Sequence, residues 1–322
     1  MDKEKHKIKS RFKRKPISVF PILDRDLHIV KYVARYRLLN TDMIMALVNG
    51  GEHGIRRRLR KLFHAGFLSR PQHQVLLHDS GSDPMVYTLG DRGADYLTKK
   101  LGTRLPKVSW ANRSLTVGAN HIAHTLTISN FMISLEIAAR DISNLRLIDQ
   151  DRIVDAIPKD KDFFVPFGWK IPILWVVDGK REIFSSTVMP DRIFGMHISD
   201  VPAKRQGLFF FLEADRSTMP VERTKPFQTS FSRKLHAYWE SWRRGLYNHY
   251  LGSNAVRVLT ITKSNERIET MKKVCRKIDP RGKGSRMFLF SEAKNFSPNN
   301  PACIFEERWT NPRDKSPVTI LD

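Results

Sequence analysis

Between Asp24 and Arg37 apolar residues recur at Leu27, Val30 and Val33/Ala34, the three-to-four-residue rhythm of a helix with one buried face. Asp24 stands ahead of them as an N-cap candidate. Thr41 opens a shorter helix, "DMIMALV". The third predicted helix is "HGIRRRLRKLFHAG": Ile55, Leu59, Leu62 and Phe63 share a side, at i, i+4, i+7 and i+8. Arg57, Arg60, Lys61 and His64 take the other side, and Gly66 stops the helix. The period then changes. "QVLLH" and "MVYTL" read as short strands separated by the polar turn cluster "DSGSDP", and "DRGADYLTKKLG" as a closing helix.

Residues 102–120, rich in Gly, Pro, Ser and Asn, read as a linker. "HIAHTLTISNFMISLEIAARD" is an apolar helix that sends Ile122, Leu126, Phe131 or Ile133, and Ile137 toward a core. Strand-like runs follow: "WKIPILWVV", "IFSSTVMPDRIFGMHI", "GLFFFLEADR", "AVRVLTIT" and "RMFLF". A long aromatic helix is predicted between Phe227 and Leu251, with Phe231, Leu235, Tyr238 and Trp242 spaced by four, three and four as a core stripe. Residues 252–322 add a basic amphipathic helix, "KSNERIETMKKVCRKIDPRGKG", suited to extending the sheet and gripping a phosphate backbone. The Pro/Asn-rich end, "SPNNPACIFEERWTNPRDKSPVTILD", reads as a loosely packed tail. The pattern predicts a mixed α/β (α+β) chain: a basic disordered arm over 1–20, a small helical unit over 21–105 and an α/β domain over 106–322.

Charge changes the picture more than composition does. The chain has 322 residues, 41% hydrophobic and 28% charged, the balance of an ordinary folded protein with two domains. Its formal net charge of +23 is not ordinary and favours a polyanionic partner, with nucleic acid leading. "MDKEKHKIKSRFKRK" concentrates part of it in an arm that reads either as a solubilising tail or as a clasp on the backbone. Cys275 and Cys303 stand far apart and without metal-type spacing nearby, so neither a disulfide framework nor a zinc site is suggested. No apolar run approaches membrane-spanning length and the basic N-terminus lacks an apolar signal core, so no membrane partner and a cytoplasmic location are expected.

"GLFFFLEADRST" ends an apolar strand at two acids. Strand side chains alternate, so Glu213 and Asp215 share a face, and pairing with the strand that starts at Pro190 would bring Asp191 beside them. Three carboxylates at close range resist ionising together unless a cation joins them. The plainer alternative is that they mark where the strand meets solvent, neutralised by Arg192 or Arg216. His121, His124 and Glu136 on the apolar helix are weaker candidates, better explained as structural.

Three resemblances follow from these motifs. "IRRRLRKLFHAGFLSR" and "VYTLGDRGADYL" resemble the recognition helix, wing strand and closing helix of winged helix-turn-helix domains. That implies Arg56, Arg57, Arg60, Lys61 and His64 contact double-stranded DNA, against the bland reading of Arg56, Arg57, Arg58 and Arg60 as a solvated face. A winged-helix protein can act as a homodimer, which the sequence leaves open. Pro190–Asp191 followed by Glu213–Ala214–Asp215 resembles the PD-(D/E)XK restriction-endonuclease-like nuclease core. The lysine of that pattern is missing at Asp215, and Lys234 on the following helix is the substitute. The order of all these parts is similar to the replication-relaxation family of plasmid and integrative-element proteins, which includes the MOBC relaxases. The resemblance implies Mg²⁺ or Mn²⁺ held by Asp191, Glu213 and Asp215, catalysis by these with Lys234, DNA nicking during mobilisation or replication, and relaxosome proteins as partners. A non-catalytic DNA-binding regulator with a degenerate nuclease domain is the alternative.

Overall fold

The computed structural model describes residues 10–15, 20–77, 83–105, 108–158, 163–164, 168–177, 180–202, 206–223 and 230–321. They form two compact units, Met1–Ile133 and Ser134–Asp322. The division falls inside a helix rather than at the linker expected near residue 105.

In the first unit α1 (Asp24–Tyr36), β1 (Leu38–Asn40), α2 (Thr41–Leu47), α3 (Glu52–His64), β2 (Leu68–Ser69), β3 (Val86–Leu89) and α4 (Asp91–Leu101) follow in order. The strands make an antiparallel sheet, β1-β3-β2. Ile29, Val30, Val33, Ile55, Leu59, Leu62 and Phe63 are buried as the helical spacing requires. The caps differ by a residue or two. Asp26, not Asp24, accepts the Leu23 N–H, and Asn40, not Thr41, accepts from Met43. At the end of α3, Gly66 takes φ +82°, and the Gly66 and Phe67 N–H groups return to Phe63 and Leu62, a Schellman closure that needs glycine. "QVLLH" is not a strand. Gln72–Leu77 is a 3-10 turn, in which the Gln74 side chain exchanges hydrogen bonds with the Val86 N–H and C=O and so fills the place of a ladder partner. His78 lies outside the described residues.

Two further departures concern the flanks. The predicted linker contains α5 (Trp110–Thr116), and α6 (Ala119–Arg140) begins in this unit, where Ile122 packs with Leu38 and Val86 and Ser129 donates to the Tyr36 and Leu38 carbonyls. The end of the basic arm is also docked: Arg14 donates to the Phe63 and Leu68 carbonyls and to Ser69 Oγ, while Lys15 N–H meets His64 Nδ1. Residues 1–9 and 16–19 lie outside the described residues. Inside the unit, Arg58 clasps the fully buried Asp26 with two nitrogens, its guanidinium 4.5 Å over the Phe20 ring.

The second unit holds β4 (Leu145–Ile148), α7 (Gln150–Ala156), β5 (Phe163–Phe164), β6 (Gly168–Val177), β7 (Lys180–Val188), β8 (Arg192–Ile198), β9 (Gly207–Ala214), α8 (Phe231–Arg243), α9 (Leu246–Leu251), β10 (Val256–Thr262), α10 (Asn265–Ile278) and β11 (Phe288–Glu292). Five strands form one sheet, β11-β10-β9-β8-β4, parallel from β9 to β11 and antiparallel across β9-β8-β4. β5, β6 and β7 form a separate antiparallel sheet. The apparently continuous run "IFSSTVMPDRIFGMHI" is therefore two strands in two sheets, broken at Pro190, which cannot donate to a ladder. The aromatic helix is likewise two, broken at Gly245 with φ +70°. Trp169, Phe211, Tyr238, Tyr247, Val258, Ile268, Met271 and Phe290 share one buried core with the helices. The C-terminal end is packed, not loose: Trp309 is fully buried and stacks on Phe296, and Thr310 bridges to Phe290 at the edge of the sheet. Among the described helices, α6 alone has the length and mean hydropathy (1.2) of a membrane span, and 56% of that stretch is buried inside the protein.

Candidate functional site

β8 and β9 pair with Arg192 opposite Leu212, so Asp191 arrives one step further on, beside Glu213. Its Oδ2 accepts the Ala214 N–H at 2.9 Å, which fixes the carboxylate at the end of the two strands. Glu213 faces α8. Lys234 and Tyr238 stand one turn apart on that helix and meet its two oxygens: Lys234 Nζ donates to Oε2 at 2.5 Å and Tyr238 Oη to Oε1 at 2.6 Å. Glu213 is 1% exposed. Burial pushes its carboxyl up to about 7; the Lys234 charge pulls back, and Asp191 adds to the rise. For Lys234, burial works against the ammonium, but Glu213 and Asp191 more than offset it and hold the group charged. Burial and the Glu213 charge raise the Tyr238 phenol far above its ordinary range, so it stays a donor. Its ring stacks on Phe211 as the core stripe predicts.

Asp215 has gone elsewhere. Thr262 Oγ donates to Oδ2 at 2.7 Å and the Ser217 N–H approaches at 3.3 Å. Arg267, in the first turn of α10, grips both oxygens in a fork, with Nη2 to Oδ1 at 2.8 Å. Sequence reasoning does not find Arg267. It lies 52 positions away and nothing local marks it.

Among the described residues no three His, Cys, Asp or Glu side chains group closely enough to hold a metal ion by themselves. Mg²⁺ needs only one or two carboxylates when water and a phosphate supply the rest. Asp191 fits that smaller donor set, and Glu213 beside it joins the set by giving up its bond to Lys234 or Tyr238; Asp215, saturated by Arg267, does not fit the three-carboxylate set. Thr260 pairs in register with Glu213, and its buried hydroxyl has no hydrogen-bond partner among the described residues, a further oxygen at this end of the sheet.

In the first unit, α3 turns Arg57, Arg60 and Lys61 to solvent. Arg56 is exposed too, but bonded to Glu52 at 2.8 Å and 3.9 Å from Asp42. His64 is tied to the arm by the Lys15 N–H; burial, then Arg70, Lys15, Arg60 and Arg14, lower its pKa and keep the ring neutral. Arg58 belongs to the buried pair with Asp26. His121 contacts Thr125 one turn on, and Glu136 pairs with Arg140 along α6, as structural side chains do.

A helical unit presenting cations from one helix, joined to a mixed sheet with acids at its strand ends, defines a two-unit α/β protein. The chain belongs to the replication-relaxation family, whose sequence model matches residues 30–256, from α1 to the first residue of β10. Membership carries a role in the replication or mobilisation of plasmids and similar elements. No curated protein and no solved structure matches the chain.

Proposed function

We propose that the chain recognises double-stranded DNA of a plasmid or integrative element through α3 and nicks it at Asp191, Glu213 and Lys234 with Mg²⁺ or Mn²⁺. The convergence of Asp191 and Lys234 on a buried Glu213 carries this reading. The order α1-β1-α2-α3-β2-β3 supports a winged helix in the first unit, and β4-β8-β9-α8-β10 supports a PD-(D/E)XK-like core in the second. A divalent ion bound there supplies Lewis acidity toward the phosphate and lowers the pKa of bound water. The chain's own part is to hold Asp191 by the Ala214 N–H, to orient Glu213 through Tyr238, and to keep Lys234 charged where phosphate charge develops. Asp215 braces the strand end against α10.

A second reading has one observation in its favour. Both oxygens of Glu213 are already bonded, by Lys234 and Tyr238, as in a degenerate nuclease domain that serves a DNA-binding accessory. Purified protein with supercoiled plasmid carrying the element's own origin separates the two. Metal-dependent conversion to open circles, blocked by EDTA and lost in Asp191→Asn and Lys234→Ala, is expected. Sequence-specific binding without conversion in either metal would establish the accessory.

A further inference from the structure

The spacing along α8 predicts Trp242 in the core stripe, yet it is 40% exposed. Its ring and that of Trp239 lie 5.1 Å apart, tilted by 36°, on the wall of a cavity of about 340 Å³. The same cavity is lined by Arg257, Arg281, Arg286 and Arg313. A second cavity, of about 800 Å³, shares Arg286 and Arg313 with the first and adds Lys283 and Lys315. Asp314 is the sole acid among the described residues lining either cavity. It pairs with Arg286, whose side chain is still 69% exposed.

This surface is built from the chain's C-terminal part rather than scattered over it. Gly284, at φ +74°, lies so close to Pro312 that a Cβ there would stand 2.8 Å from the proline ring. Arg276 Nε donates to the Pro312 carbonyl, and the Asn311 side chain accepts the Arg313 and Asp314 N–H groups. The loop and the tail that carry the cations are therefore held in place. Most of the lining residues lie beyond residue 256, outside the span the family model matches.

We propose that these two cavities, which share Arg286 and Arg313, bind single-stranded DNA, with an unpaired base stacked on Trp242 and the phosphates running past Arg286 and Arg313 toward Lys283 and Lys315. Indole faces recessed beside cations take bases that are already unstacked, whereas a duplex hides its base faces. The charge matches a phosphate backbone and the rings match what that backbone carries. An acidic peptide would satisfy the cations and leave the indole unused. The assignment does not depend on α3, because the two surfaces lie in different units.

The test uses the full chain and a short oligo(dT), with affinity read by anisotropy and indole emission in parallel. Binding with quenched emission is expected, and Trp242→Ala should weaken it about tenfold, the usual effect of removing one stacked base. Arg313→Ala should lower the log–log salt slope by about 0.7, the share of one phosphate on a single strand. Arg57→Ala should weaken duplex binding and spare oligo(dT). No oligo(dT) binding by the wild type, or wild-type affinity in Trp242→Ala with an unchanged melting curve, overturns the proposal. So does a loss in Arg57→Ala equal to that in Trp242→Ala, which would assign the oligonucleotide to α3, or displacement by an acidic peptide that Trp242→Ala does not alter.

Discussion

At Asp215 a guanidinium, a hydroxyl and a backbone N–H converge on one carboxylate, whereas Glu213, two residues earlier on the same face, meets an ammonium and a phenol. The shared face was legible from strand alternation. The divergence was not, because Arg267 arrives through the α10 crossover. Asp215→Asn strands a guanidinium whose side chain is only 14% exposed, and breaking such a pair costs about 3 kcal/mol. Calorimetry should show a lower Tm with or without Mg²⁺, with much of the loss recovered when Arg267→Met is added. Glu213 gives a pH signature instead. The folded state holds its proton up to about 7 and the unfolded chain releases it near 4.5, so the native state binds more protons in between. Its share of stability is therefore present below pH 4.5 and lost as pH rises toward 7. Denaturant melts across that window should show the decline, and Glu213→Gln should flatten it.

Elements were legible where one side chain pattern meets one environment. α3 is such a case, with its apolar positions buried and Arg57, Arg60 and Lys61 outside. Arg57→Ala and Arg60→Ala should each weaken specific duplex binding by about 1–3 kcal/mol if they reach base edges. Titrations of both variants against the element's DNA check this, with melting unchanged. Arg58→Ala should do the reverse and destabilise by about 3 kcal/mol, since it abandons a fully buried Asp26. Pattern failed where the reason was not periodic. Gln74 replaces a strand with its side chain, β7 and β8 part company at a single proline, and Pro/Asn-rich composition conceals the buried Trp309.

For the whole molecule, the +23 charge was legible and its destinations were not. Arg14 holds three acceptors at the end of α3, so the arm has a structural end as well as a charged one. Removing residues 1–15 should reduce the salt slope of duplex binding by about 0.9 for each phosphate that the arm neutralises. It should also lower the Tm of the first unit, which a charge-only tail would leave alone. Differential scanning and salt titration of the truncated chain read the two effects separately. In the second unit, β9 reaches the tryptophan cavity at Leu208, its second residue, and carries Glu213 near its other end, five residues or about 17 Å along the strand. A stiff strand of fixed length makes a gauge. If the proposed base seat and the proposed nicking site both hold, the phosphate at the acids would lie at a constant count of nucleotides from the seated base, and the cut position would be measured from that base and not read from the sequence at the break.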